Sequence, residues 1–338
     1  LHYEIIPKKG DKMANIRDVA RLAGVSVATV SRYLNQKGYL SDKSKKKIEI
    51  AIDELNYKPN LIARSLSTKQ DSSIGLLLPD ITNPFFPELA RAIEDVSMAK
   101  GYSIILCNTD DSVEKEINYL QLLKQKYVAG LIITMNHLPN SVYMDLDIPI
   151  VGLDRVESLP FPIITTDNEL GGEMAAKHLI DRGSKNILVL SGPTAEESVA
   201  RRVNGFRQYS EQFEEVTLSI QESHFNYKKS YVDIIDFLKK NPTIDGIFAC
   251  SDTDGIAAIK AATALGYAIP EDIQIMGFDG VSIGELTSPS LTSVAQNIYL
   301  LGSLAAEQLI AQIEGQEVAK DLIKISPQLI IRDSTRKE

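Results

Sequence analysis

An all-α helix-turn-helix head followed by an α/β body of two doubly wound parallel-sheet lobes is the fold class this sequence predicts. Three observations carry that reading. Residues 13–58 hold three short helical patterns separated by turn punctuation, and residues 73–333 alternate short apolar runs with amphipathic stretches. The third observation is charge. Residues 1–70 hold 14 Lys and Arg against 7 Asp and Glu, a net +7, whereas the remaining 22 and 38 leave −16. A basic end on an acidic body suits contact with a phosphate backbone while the body stays off nucleic acid.

At 338 residues the chain is too long for one ordinary core. The expected parts are an extension over 1–12 expected to be disordered, a DNA-binding domain over 13–58, a hinge over 59–72 and a body over 73–333. Met13 is a plausible natural start. No apolar run reaches the length of a membrane span, so no membrane partner is expected. Cys107 and Cys250 each end an apolar run and read as buried free thiols, a usage that fits a reducing cytoplasm.

In the head, Asn15 is placed to cap a helix in which Ile16, Val19, Ala20 and Ala23 recur at helical spacing. Gly24 suits the left-handed position that ends it. Ser26 caps a second helix running to about Leu34, with Val30, Tyr33 and Leu34 turned to a core. That leaves Val27, Ala28, Thr29, Ser31 and Arg32 outward or near the helix start. In a helix-turn-helix the second helix lies in the major groove with its N-terminal residues at the base edges. Arg32 can pair bidentately with a guanine, worth about 1–3 kcal/mol of discrimination. Val27 and Ala28 are short enough for close approach, and Thr29 and Ser31 suit phosphate. A third helix over about Ser41–Asn56 shows Ile48, Ala51, Ile52 and Leu55 at core spacing. Lys43, Lys45, Lys46 and Lys47 start it, and read equally as a solvated face or as backbone contacts. Pro59 then opens a helix of about two turns through Asn60, Ala63 and Leu66, too short to persist alone in water. Such a segment orders on binding, and Leu66 is the side chain suited to wedge into the minor groove.

In the body, strands are expected at Ile74–Leu78, Tyr102–Cys107, Gly130–Thr134, Ile150–Leu153, Ile187–Leu190, Gly246–Cys250 and Ile273–Gly277. Helices are expected at Pro87–Lys100, Val113–Lys126, Glu169–Arg182, Glu197–Gln212, Lys228–Lys240, Thr253–Leu265 and Tyr299–Glu314. Strands alternating with helices imply parallel sheets covered on both faces. Ligands of such sheets sit beyond the carboxyl ends of the strands. Those ends carry Asn83, Phe85 and Phe86, then Asp154 and Arg155, then Ser251 and Asp252, then Asp279, and Gln296 after Ser293–Ala295. Carboxylates, an amide, a guanidinium and aromatic rings are what a pyranose needs.

The head resembles the lactose-repressor family of bacterial transcription regulators. The matching elements are Asp18-Val19-Ala20, Ala23-Gly24-Val25-Ser26, Thr29-Val30-Ser31-Arg32, Asn35, and Leu55 to Asn60 with Ala63-Arg64-Ser65-Leu66. The resemblance runs through nearly the whole chain from Met13. It implies that Ser26, Val27, Ala28, Thr29, Ser31, Arg32, Asn35, Tyr57, Asn60, Ala63 and Leu66 form the DNA-binding set, with Leu66 the hinge leucine. It implies a periplasmic-binding-protein-like body whose lobes are interwoven, the N-lobe holding 73–164 and 295–322 and the C-lobe 165–294 and 323–333. The order of motifs is most like that of ribose operon repressors and is similar to periplasmic ribose-binding proteins. By that likeness Asn83, Phe85, Phe86, Asp154, Arg155, Arg202, Phe225, Ser251, Asp279 and Gln296 surround the sugar. Ser251 departs from the pattern, which has asparagine there, and its shorter side chain loses a hydrogen bond or admits water.

No nucleophile elbow, Walker loop, Gly-x-Gly-x-x-Gly or metal-ligand spacing appears, and His2, His137, His178 and His224 are scattered. The chain is therefore read as a non-enzyme without a cofactor. The expectation is a cytoplasmic homodimeric repressor that binds a palindromic operator and is released when a small sugar, ribose favoured, closes the lobes. The alternative is a catabolite-control or corepressor-type regulator whose effector strengthens DNA binding, with a phosphorylated carrier protein as a possible partner.

Overall fold

The computed structural model describes residues 14–34, 39–57, 72–154, 160–193, 196–318 and 322–337. It divides into two compact units, Leu1–Asp71 and Ser72–Glu338.

In the first unit, α1 (Ile16–Ala23), α2 (Val27–Leu34) and α3 (Asp42–Glu54) share one small core. The caps are those the sequence calls for. Asn15 accepts from the Arg17 and Asp18 N–H groups while the Asp18 carboxylate accepts from Asn15 N–H, a reciprocal capping box. Gly24 ends α1 at φ 64°, where a side chain would be strained. Val19, Ala20, Ala23, Val30, Ile48, Ala51 and Tyr57 are buried together, with Tyr33, Leu34, Ile52 and Leu55 packed against them. Segment 59–66, read as a hinge helix, lies outside the described residues.

The second unit has two six-stranded sheets. The first joins β1 (Ser73–Leu78), β2 (Ser103–Asn108), β3 (Gly130–Ile133), β4 (Ile150–Leu153), β5 (Ile163–Thr166) and β11 (Leu322–Ile325) in the order 11-5-4-3-1-2, all parallel. The second joins β6 (Asn186–Leu190), β7 (Thr217–Gln221), β8 (Gly246–Ala249), β9 (Gln274–Asp279), β10 (Thr292–Ala295) and β12 (Gln328–Ile330) in the order 12-10-9-8-6-7. Only the pairing of β10 with β12 is antiparallel among the described strands. Helices α4 (Phe85–Ala99), α5 (Val113–Gln125), α6 (Asn140–Met144) and α11 (Ile298–Ile313) belong to the first lobe. Helices α7 (Asn168–Asp181), α8 (Glu197–Ser210), α9 (Tyr227–Lys240) and α10 (Asp252–Ala264) belong to the second. Central strands β1, β3, β4, β8 and β9 are buried along their whole length, which is why they read as unbroken apolar runs.

The chain passes between lobes after Thr166, at 296–297 and at 326–327. The third crossing corrects the expected one near 322. Leu322–Ile325 still pairs with β5 in the first sheet, so the N-lobe runs on to Ile325.

Helices α7 and α8 touch backbone to backbone. A Cβ added at Gly172 would collide with the Arg202 carbonyl, and one at Gly205 with the Glu169 carbonyl. The two glycines therefore set how closely α8 approaches α7.

His178 on α7 is buried, with Nε2 2.8 Å from the Thr335 hydroxyl. Burial pushes its pKa down from 6.5 to about 4; Arg182 adds to the fall and Asp181 opposes it. The folded value lies below the unfolded one, so this group's contribution to stability is full above about pH 6.5 and is lost as pH falls toward 4. Between pH 7 and pH 5 the loss from this group is expected to be about 2 kcal/mol. Urea unfolding checks it: a His178→Gln variant should lose correspondingly less stability over that interval, and an identical pH slope in the two proteins contradicts the assignment.

Candidate functional site

The carboxyl ends of β1, β4, β8 and β9 meet at a small cavity between the lobes. Its lining includes Asn83, Phe85 and Asp154 from the first lobe, and Glu196, Ser198, Val199, Arg202, Phe225, Ser251 and Asp279 from the second.

Arg202 is the centre of the arrangement. It is buried on α8, and its Nε donates to Asn168 Oδ1 at 2.8 Å. Its Nη1 donates to the Cys250 carbonyl at 2.7 Å and to Asp279 Oδ1 at 3.4 Å. Nη2 stands 3.8 Å from Asp154 Oδ1, an ion pair beyond hydrogen-bond reach. The guanidinium carbon lies 3.8 Å from the centroid of the Phe278 ring. A buried charge needs such compensation from opposite charge, acceptors and a ring face.

Strain gathers at the same place. Asp154 has φ 61°, Phe225 φ 50° and Asp279 φ 112°, and all three line the cavity. Left-handed backbone at non-glycine residues costs on the order of 1–3 kcal/mol each and clusters at binding sites. Here it turns two carboxylates and a ring toward the cleft as their segments leave the sheet. Gly192, at φ 73°, leaves room for the Phe225 ring, which a Cβ there would strike.

Ser251 caps α10, its hydroxyl accepting from Asp254 N–H at 3.2 Å. Behind the lining, Asp254 accepts from Ser223 and Ser230 at 2.6 Å each. Burial raises its pKa, while the serine hydroxyls pull it back. Asp252 accepts from Ser293 at 2.6 Å and from Val281 N–H at 2.8 Å. Burial and the nearby Asp279 charge raise its pKa to about 8, against these donors. Asp252, read from its position at a strand end, thus serves the second lobe's framework and does not line the cavity.

The structure brings most of the expected sugar-facing residues together. Asn83, Phe85, Asp154, Arg202, Phe225, Ser251 and Asp279 all line the cavity. Phe86 is a correction: it turns into the N-lobe core and meets the Phe85 ring edge-on at 5.1 Å. Gln296 sits behind Asp279, donating to its Oδ1 at 2.8 Å and accepting from the Thr166 hydroxyl at 2.7 Å. Arg155 lies outside the described residues. Sequence reading missed Ser198, Val199, Glu196, Asn168 and Phe278. Ser198 and Val199 stand four and three residues before Arg202, so helical spacing alone puts them on its face. Among the described residues nothing hydrogen-bonds to the buried Ser198 hydroxyl.

On the head, Ser26 caps α2 by accepting from Thr29 N–H at 3.1 Å. Val27, Ala28 and Arg32 are exposed along α2, with Thr29 and Ser31 half-buried beside them. Lys43, Lys45, Lys46 and Lys47 are exposed on α3. Tyr57 is a correction: it is buried in the head's core, where it closes the end of α3. Asn35, Asn60, Ala63 and Leu66 lie outside the described residues.

A helix-turn-helix head on a two-lobed body with a cleft of buried charge and aromatic rings defines a class, and the comparisons agree with it. Residues 15–60 match the bacterial regulatory proteins of the lacI family, and residues 71–336 match the periplasmic binding proteins and sugar-binding domain of the same family. The chain belongs to the LacI family. It is 45% identical to a ribose operon repressor of Halalkalibacterium halodurans, over 96% of this chain and 98% of that one. Among solved structures, the Lac repressor dimer bound to operator and the anti-inducer ONPF superposes with a TM-score of 0.85 at 26% identity, over 96% and 99% of the two chains. A periplasmic binding protein/LacI transcriptional regulator of Alkaliphilus metalliredigens complexed with D-xylulofuranose gives 0.75 at 35% identity, over 79% and 100%. A LacI-family regulator of Enterococcus faecium with bound ribose gives 0.70 at 30% identity, over 78% and 98%.

Gly205→Ala should push α8 off α7 and displace Arg202. Overpacking of this kind costs about 1–3 kcal/mol. A lower urea midpoint together with weakened sugar binding is the expected outcome; unchanged values for both contradict the helix contact as the site's support.

Proposed function

We propose that this chain represses a sugar-utilisation operon by binding a palindromic operator as a homodimer, and that a pentose of the ribose class releases it. One observation carries the proposal: a buried guanidinium between carboxylates, beside aromatic rings, at the cleft between two lobes. Vicinal hydroxyls can bridge the 3.8 Å between Arg202 Nη2 and Asp154, accepting from the cation and donating to the carboxylate. Phe85 and Phe225 supply apolar faces for the sugar's C–H surface. The described lining carries the carboxylates Asp154, Glu196 and Asp279 against the guanidinium of Arg202 alone, so a neutral sugar suits it better than a phosphorylated one. Ribose-named relatives and the ribose-bound and xylulofuranose-bound neighbours support the pentose class.

Asp154 and Arg202 stand on opposite lobes, so a ligand held by both favours closure. A sugar can release the operator only if it binds the DNA-incompetent form more tightly, and coupling of this kind is typically about 1–3 kcal/mol. The exposed α2 face reads bases, with Arg32 as the bidentate group. Three of its relatives are named ribose operon repressors, and no helix among the described residues is long and apolar enough to cross a membrane. A cytoplasmic site of action follows from the proposed DNA partner.

The test is a gel shift with a palindrome selected from random DNA by the full chain, titrated with ribose. Release supports the proposal, tightening supports corepression, and no change overturns it. Arg202→Ala should stay on the operator at ribose concentrations that free the parent; release at the parent's concentration removes the cavity from the account. For the head, Arg32→Ala should lower operator affinity by about 1–3 kcal/mol and relax preference at one base position in a repeated selection. An unchanged selected sequence would take Arg32 out of base reading.

A further inference from the structure

Two sugar-facing groups are tied to two of the interlobe crossings by one closed ring of hydrogen bonds. Arg202 Nε donates to Asn168 Oδ1 at 2.8 Å, and Asn168 Nδ2 donates to the Thr166 carbonyl at 3.0 Å. The Thr166 hydroxyl donates to Gln296 Oε1 at 2.7 Å. Gln296 Nε2 donates to Asp279 Oδ1 at 2.8 Å, and Arg202 Nη1 reaches the same oxygen at 3.4 Å, which closes the ring. Every member is buried. Thr166 and Asn168 flank the first crossing, and Gln296 stands at the second.

We propose that Asn168 and Thr166 are positioning residues for the effector site. They hold Arg202 and Asp279 in the geometry a sugar meets, and they tie that geometry to the segments about which the lobes rotate. This rests on reading the cavity as a sugar site. Neither residue lines the cavity. Asn168 fixes the guanidinium in its plane: Nε is bound on one edge while the Phe278 ring covers a face, leaving Nη2 directed toward Asp154. Arg has a rigid fork of donors, so fixing Nε fixes the direction of Nη2 as well. The Thr166 hydroxyl fixes the flip of the Gln296 amide, since an acceptor at Oε1 leaves Nε2 for Asp279. A sugar that shifts Arg202 or Asp279 therefore strains contacts at both crossings, and lobe rotation disturbs both sugar-facing groups.

The test has a readout that does not need the sugar. The Arg202 Nε–H should give a slowly exchanging nitrogen–proton NMR signal, shifted by the Phe278 ring, in the sugar-free full chain. Asn168→Ala should lose that signal to fast exchange and weaken ribose binding about tenfold or more, as expected for a lost hydrogen bond to a charged group. Asn168→Asp keeps the acceptor and should retain both the signal and most of the affinity. It gives up the donor to the Thr166 carbonyl, so ribose should release the operator less completely from this variant. Thr166→Val, which keeps the shape without the hydroxyl, should also weaken ribose binding. A persistent signal with parental affinity in Asn168→Ala overturns the proposal, as does failure of Asn168→Asp to restore what alanine removes. If the parent shows the protected signal, alanine loses it and aspartate keeps it, yet ribose does not bind the parent, the positioning of Arg202 stands and the sugar reading fails.

Discussion

The Arg202 guanidinium is 4% exposed, and no cation is buried that far without compensation. Asn168, the Cys250 carbonyl, Asp279 and the Phe278 face supply it. Much of the second lobe's local design follows from that need. The glycines at 172 and 205 let α8 approach α7 closely enough for Arg202 and Asn168 to meet. The β9 end turns through φ 112° at Asp279 to present its carboxylate. Asp154 contributes from the opposite lobe at 3.8 Å, so the lobes share one electrostatic centre.

That centre explains how a small neutral molecule could matter to a DNA-binding protein. A sugar hydroxyl placed between Arg202 and Asp154 exchanges a long ion pair for two charge-assisted hydrogen bonds. The gain exists only when the lobes are at the right separation. The ring through Asn168, Thr166 and Gln296 makes the same separation visible at the crossings, so local occupancy and lobe geometry are one equilibrium.

Much of this was legible in the residues. Buried central strands such as Ile74–Leu78 and Ile150–Leu153 show as apolar runs, and Asn15, Gly24 and Ser26 mark the head's helices through their caps. Strand-end chemistry led to Asn83, Asp154 and Asp279, and the family likeness led to Arg202 on α8. Other parts carried weaker signals. The β7 edge strand Thr217–Gln221 is half solvated and polar, and β11 and β12 are three or four residues long. Their assignment depends on partners distant in sequence. Tyr57 and Phe86 sit beside residues with functional chemistry, but the packing of α3 and α4 turns them into cores. The third crossing falls later than expected because the Leu322–Ile325 pairing with β5 has no local signature.

The account stands on reciprocal linkage between sugar and operator. The measurement that tests it most directly is the ribose affinity of the full chain, taken free and then saturated with operator DNA. Weaker ribose binding on the operator, by the same factor by which ribose weakens operator binding, is the predicted result. Equal ribose affinity in the two states would contradict it.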